Sequence, residues 1–256
     1  MNRIAAFTVR NIKEMVRDPL SYIFCIGFPL VMLIIMTVVN ESIPAQSGMT
    51  IFRIDNLSAG IAVFGQTFVM LFTALTISKD RSGAFLARMY ATPMTPTDFT
   101  VGYILPMLII SVIQSVITYA ASFIISLITG VSLSAAGILL SVIVLIPSAL
   151  MFIGFGVLFG TLFNDKAAPG LCSIIISLSS ILGCIWFDAD SAGGIVLKIC
   201  RALPFYYSTR SARAAIVPDL SAEKLLIPLM IVVVCAALLL ILSAVVFRRK
   251  MRADLA

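Results

Sequence analysis

A chain of 256 residues with 61% hydrophobic residues, only 12% charged residues and a mean hydropathy of +1.11 is not a soluble domain, in which about 25% of residues are charged; it is an integral membrane protein. The net charge of +6 needs no nucleic acid, because basic residues at the inner face of an anionic membrane account for it. The complete absence of histidine excludes Ser/His and Cys/His catalysis, HExxH metalloprotease chemistry and histidine metal sites, and without a GxxxxGK[ST] loop the chain does not hold ATP in the P-loop manner.

Residues 3–17 wind as an amphipathic helix. At 100° per residue Ile4, Phe7, Val9, Ile12, Met15 and Val16 share one broad apolar face, with Arg3, Arg10, Lys13, Glu14 and Arg17 opposite. Such a helix lies along the inner membrane surface, as a plain anchor or as a lever beside a cytoplasmic partner, until Asp18 and Pro19 turn the chain.

Six segments reach the roughly 20 apolar residues that crossing requires: 20–39, 58–78, 101–129, 133–163, 167–187 and 225–247. The first run begins too late and is too long for a signal peptide. The expected fold is therefore an all-α integral membrane protein, one domain over 1–256 with six transmembrane helices and no folded soluble domain. Lys and Arg divide about two to one in favour of an arrangement with both termini and the 79–100 connection in the cytoplasm. The five cysteines have no metal-ligand spacing and read as small buried hydrophobes, with Cys200 alone falling outside the spans.

The connection reads SKDRSGAFLARMYATPMTPTDF over 78–99. Asp80, Arg81 and Ser82 precede a short segment containing Phe85, Leu86, Met89 and Tyr90, which Pro93 and Pro96 end. An apolar knob just outside the membrane is exposed unless something covers it, either lipid or a partner.

Within the spans, Ser111, Ser115, Thr118, Ser122, Ser126 and Thr129 lie along one helical face, and Ser173, Ser177, Ser180 and Cys184 along another. Such stripes, like Gly156 with Gly160, mark seams of close helix packing or the lining of a path. For a path the candidates are Gln66, Thr73, Ser173, Ser177 and Ser180, whose hydroxyls and methyls suit an amphipathic or apolar cargo. Pro29, Pro106 and Pro147 each remove one backbone hydrogen bond inside a span. No charged residue falls within the six spans, which weighs against an ion-coupled carrier.

Taken in order, the basic amphipathic N-terminus, the span with Pro29, the loop DRSGAFLARMYATPMTP and the late outer stretch RALPFYYSTRSARAAI resemble the permease subunits of type-2 ABC exporters over essentially the whole chain. Asp80, Arg81, Gly83 and Pro93 match the family's pattern after span 2, and Pro204 its late outer proline; Ser82, Gly83 and Ala84 stand where many relatives have an acidic residue and Gly-Thr. The resemblance implies a six-span half-transporter of the plasma (inner) membrane that dimerises with a second permease half and is driven by a separate ABC ATPase subunit, which holds the ATP and Mg. It implies no cofactor on this chain and no catalysis by it. It makes the 79–100 loop a coupling element seated on the ATPase, with Phe85, Leu86 and Met89 as apolar anchors and Arg81 and Arg88 as rim charges, beside Asp80 and Gly83. It also implies short re-entrant helices over 188–224. A nonenzymatic membrane scaffold subunit is the alternative.

Overall fold

The computed structural model describes residues 3–44, 48–83, 85, 94–217 and 220–253. Helices account for nearly all of them, and there is no strand among the described residues. We number them α1 (Arg3–Arg17), α2 (Pro19–Ser42), α3 (Ile54–Ser82), α4 (Pro96–Thr129), α5 (Ala135–Leu162), α6 (Ala168–Leu182), α7 (Ala189–Ala192), α8 (Gly194–Arg201), α9 (Pro204–Ile216) and α10 (Ile227–Ala253, preceded by a π turn over Ala222–Leu226).

Five of these, α2, α3, α4, α5 and α10 with its π turn, are long and apolar enough to cross a bilayer, and α6 is a shorter apolar helix. The chain is thus an all-α, multi-pass membrane protein. Its centre is α3, which packs against α5, α4, α6, α9 and α2. In the most apolar window of α3, 83% is buried, against 17% in α2. Small residues permit this: Gly65 lies so close to α4 that an added Cβ would sit 2.0 Å from Gln114 Nε2. The buried stripe Ser111, Ser115, Thr118, Ser122 and Ser126 of α4 is a packing seam. Ser115 and Ser122 return their hydroxyls to carbonyls one turn back at 2.9 and 2.8 Å.

The 167–187 span is shorter than its apolar run suggests. α6 has 15 residues and stops at Leu182. The Cys184 N–H donates to Ile181 O (3.0 Å) and the Ile185 N–H to Ser180 O (3.3 Å), the paired bonds of a Schellman end. That motif needs one left-handed residue, and Gly183 stands one position too early, so Cys184 takes φ 58° instead. Hydropathy cannot sense such a stop, since Cys, Ile and Trp continue the apolar run.

The two helices on either side of the loop run longer than expected, α3 to Ser82 and α4 back to Pro96. A Thr95/Asp98 capping box starts α4, with Thr95 N–H to Asp98 Oδ2 at 2.8 Å and Asp98 N–H to Thr95 Oγ1 at 3.3 Å. Prolines act in two ways. Pro106 and Pro147 are accommodated inside continuous helices. Pro29 and Pro228 each follow a π turn, where Phe28 N–H reaches Ile23 O and Ile227 N–H reaches Ala222 O, five residues back, so the ladder shifts register just before the missing donor.

Candidate functional site

The apolar face expected for α1 divides in two. Phe7, Asn11 and Met15 are buried, together with Thr8, while Val9 and Val16 are exposed and Ile12 is half-buried. On the helical wheel the buried set points at α4, and Val9, Ile12 and Val16 form a second strip alongside it. The burying strip is specific. Phe7 meets Phe99 (5.3 Å) and Tyr103 (5.0 Å) edge-on, each such pair contributing about 0.5–1.5 kcal/mol beyond area burial. Gly102 makes room for it: an added Cβ would lie 2.4 Å from the Phe7 ring. Asn11 Nδ2 donates to Gly102 O at 2.9 Å.

One turn along α1, Arg10 turns to the last turn of α3. Its Nη1 and Nη2 donate to Asp80 Oδ2 and Oδ1 at 2.7 and 3.0 Å, a bidentate pair, and Tyr103 donates its hydroxyl to Asp80 Oδ2 at 2.8 Å. Burial alone would lower the Arg10 pKa, but the Asp80 hydrogen bond and charge outweigh it and hold the guanidinium above its ordinary value. The guanidinium also lies 3.9 Å over the centroid of Phe85, which itself stacks on Phe7 at 6.4 Å. Next in sequence, Arg81 donates to the carbonyls of Gly160 (3.2 Å) and Thr161, the open end of α5. A cation there satisfies terminal carbonyls and the negative end of the helix dipole. Gly83 has φ −84° and ψ 160°, extended backbone open to any residue.

The structure therefore brings Asp80, Arg81 and Phe85 to one place, where α1, α3, α4 and α5 meet. Arg81 faces α5 rather than a free surface. Leu86, Arg88 and Met89 lie outside the described residues. Sequence reading missed Arg10, Asn11, Gly102 and Tyr103 as members of this clamp. Its one available signal was an arginine on an amphipathic helix and an acid closing a span, with no spacing rule to join residues 70 positions apart.

The candidate path residues separate. Gln66 is buried, donating to Leu145 O (3.1 Å) and accepting from Ser148 Oγ (2.7 Å) on α5. Thr73 is buried against Gly156, where an added Cβ would stand 2.6 Å from its own Cβ. Both pin α3 to α5. Ser180 is buried and bonds Ile176 O at 2.6 Å. Ser173 and Ser177 are exposed, with Gly170 on the same side of α6, among Ile174, Leu178 and Ile181.

At the opposite end of the bundle a cavity of about 420 Å³ is lined by Arg53, Asp55, Asp190, Arg210, Arg213 and Lys224, among others. Arg53 Nε reaches both Asp55 oxygens at 2.9 and 3.0 Å. Asp190 accepts from Tyr206 (2.9 Å) and Arg201 (3.3 Å). Arg213 of α9 donates to Asn56 O (3.2 Å) and to Cys184 O (2.8 Å), tying α9 to the start of α3 and to the left-handed turn after α6. Desolvation pulls its pKa down to about 10, so it stays charged at neutral pH. Arg213→Met takes the side-chain donor from Cys184 O, while Asn56 O keeps its place in the α3 ladder, and is expected to cost about 2 kcal/mol at about 1–3 per unsatisfied buried group. A thermal melt in detergent checks this; a drop no larger than that of Arg201→Met, an exposed pair, would remove the assigned role.

No metal-ligating cluster of three His, Cys, Asp or Glu occurs among the described residues. The family model described as ABC-2 type transporter matches residues 2–217, which is every element from α1 to the end of α9. No curated protein matches the chain.

Proposed function

The chain belongs to the ABC-2 type transporter family, and from that premise we propose that it is the membrane-spanning permease subunit of an ATP-driven exporter. In this reading it forms the pathway with a second permease half, and a separate ABC ATPase subunit supplies ATP and Mg. The basic end, carrying α1 and both termini, faces the cytoplasm, and the α7–α9 cap faces outward.

The observation that carries the coupling role is the way the loop between α3 and α4 is rooted. Asp80 is gripped from α1 and α4, Arg81 is bonded to the end of α5, and the far side is held by the Thr95/Asp98 box. A push that a partner delivers to the ends of this loop therefore reaches four helices together. Leu86, Arg88 and Met89 are the residues proposed to meet the ATPase. Phe85 has a second task, since it already packs on Phe7 and Arg10. On α6, the uncharged exposed face of Gly170, Ser173 and Ser177 is proposed to face the second half and the cargo between them.

The test is a mild-detergent pull-down of the tagged chain from its native host, comparing wild type with Leu86→Asp plus Met89→Asp, which leaves Phe85 and its packing on Phe7 and Arg10 in place. A P-loop ATPase is expected with wild type and at least tenfold less with the variant, both chains eluting as folded species in size-exclusion chromatography. Equal recovery with the variant would rule out the loop as the coupling element. Absence of any ATPase from the wild-type eluate would overturn the permease reading.

A further inference from the structure

The early stop of α6 moves Cys184 out of the apolar span and into the cap formed by α7, α8 and α9. There it meets Cys200 of α8. Both side chains are buried, in a small cluster with Ala189 and Tyr206 that is separate from the main core. The two residues share this one buried cluster, and Cys200 is near enough to act on the Cys184 thiol. Cys25, Cys172 and Cys235 belong to or pack against the main core instead.

We propose that Cys184 and Cys200 form a disulfide that staples α8 to the turn after α6. The proposal rests on the outward orientation of the cap given above, because disulfides persist in extracytoplasmic compartments and not in a reducing cytoplasm. The oxidant is a disulfide-bearing thiol oxidase or a low-molecular-weight disulfide on that side. One cysteine thiolate attacks a sulfur of the donor disulfide, forming a mixed disulfide and releasing one donor thiol; the second cysteine thiolate then displaces the other. Two electrons and two protons pass from the cysteine pair to the donor, which leaves as the dithiol of the oxidase or as two thiols of the small disulfide.

Timing follows from burial. Desolvation, reinforced by Cys200, pushes the Cys184 thiol up to about 12, so in the closed cap it is a poor nucleophile. Exchange therefore precedes closure of the cap, and the bond then resists reductant until the cap opens. The carbonyl of the same Cys184 is the one held by Arg213, so side chain and backbone of this left-handed residue are both fastened.

The test counts thiols. Membranes are quenched in acid, unfolded in SDS and labelled with a polyethylene-glycol maleimide before or after reduction. Of the five cysteines, wild type should label at three before reduction and at five after it. Cys184→Ser and Cys200→Ser should each label at four in both conditions, and either variant should lower the thermal midpoint by roughly 5–10 °C. Wild type that labels at five before reduction overturns the disulfide, as does a single variant that still hides two thiols. If the variants fail to accumulate, a cross-linked peptide pair in non-reduced digests of wild type serves instead, and its absence overturns the proposal. In a separate Cys184→Ser, Cys200→Ser, Ser191→Cys chain, an impermeant maleimide should label intact cells at position 191. Labelling only from the cytoplasmic side would overturn the orientation and the disulfide together, whereas outside labelling with five free wild-type thiols would overturn the disulfide alone.

Discussion

Gly156→Leu is expected to abolish the folded chain. An added Cβ at 156 would lie 2.5 Å from Met70 O and 2.6 Å from Thr73 Cβ, and at 160 it would lie 2.6 Å from Ala74 O. These obstacles are largely backbone of α3, the buried centre, so no rotamer change relieves them. Gly156→Ala is the graded form: overpacking costs about 1–3 kcal/mol, offset by up to about 1 kcal/mol of helix propensity, so it should survive with a lowered thermal midpoint. Gly170→Leu is the control. Nothing lies within 4 Å of a Cβ there, and the fold should tolerate it. Fluorescence-detected size-exclusion of the three variants decides the matter; if Gly156→Leu and Gly170→Leu gave equal monodisperse peaks, the close approach of α3 and α5 would be wrong. If Gly170→Leu kept its fold but eluted as a smaller species, the proposed contact of α6 with a second half would gain support.

Arg10→Ala should be the most damaging change outside the spans. It leaves Asp80, whose side chain is 8% exposed, without its guanidinium and with the Tyr103 hydroxyl still donating to it. Removing one partner of a buried pair costs about 3–5 kcal/mol. The Arg10 side chain is 27% exposed, so water screens part of the interaction and about 2–3 kcal/mol is the better expectation. Asp80→Asn removes the charge that Arg10 was placed to meet, so the double variant should be less destabilised than the sum of the singles. A coupling of at least about 1 kcal/mol is expected from detergent melts of the cycle; additive losses would mean the pair contributes nothing beyond its separate packing. If the loop has the coupling role proposed for it, ATP-dependent transport should fall more steeply than stability across the series, because the same pair roots the loop.

Several features were legible without coordinates because each depends on local composition. The spans, the amphipathic N-terminus, and the small-residue stripes at Gly156 with Gly160 and along Ser111 to Ser126 follow from periodicity and residue size alone, while burial makes the stripes seams rather than a path. Other residues were visible as unusual but not assignable. Gln66 and Thr73 are polar residues in an apolar helix, and helical periodicity assigns a residue to a face without saying what that face meets. Both meet α5. Ser173, Ser177 and Ser180 lie on one periodic stripe, yet the bundle covers the last and leaves the first two open.

What the sequence by itself determined is the class of molecule: a membrane-spanning helical chain without histidine chemistry or a nucleotide loop, with its basic residues divided about two to one between the two sets of connections. Composition and hydropathy are sums over neighbouring residues, and the bilayer responds to those sums. Tertiary structure decided which charges meet. Arg10 and Asp80 are 70 residues apart, Arg81 and Thr161 are 80 apart, and Asn56 and Arg213 are 157 apart. It also decided that α6 ends at Leu182, because the stop is made by a pair of backbone hydrogen bonds and one left-handed residue, not by any loss of hydrophobicity. That single turn brings Cys184 to Cys200, a pairing no linear pattern marks.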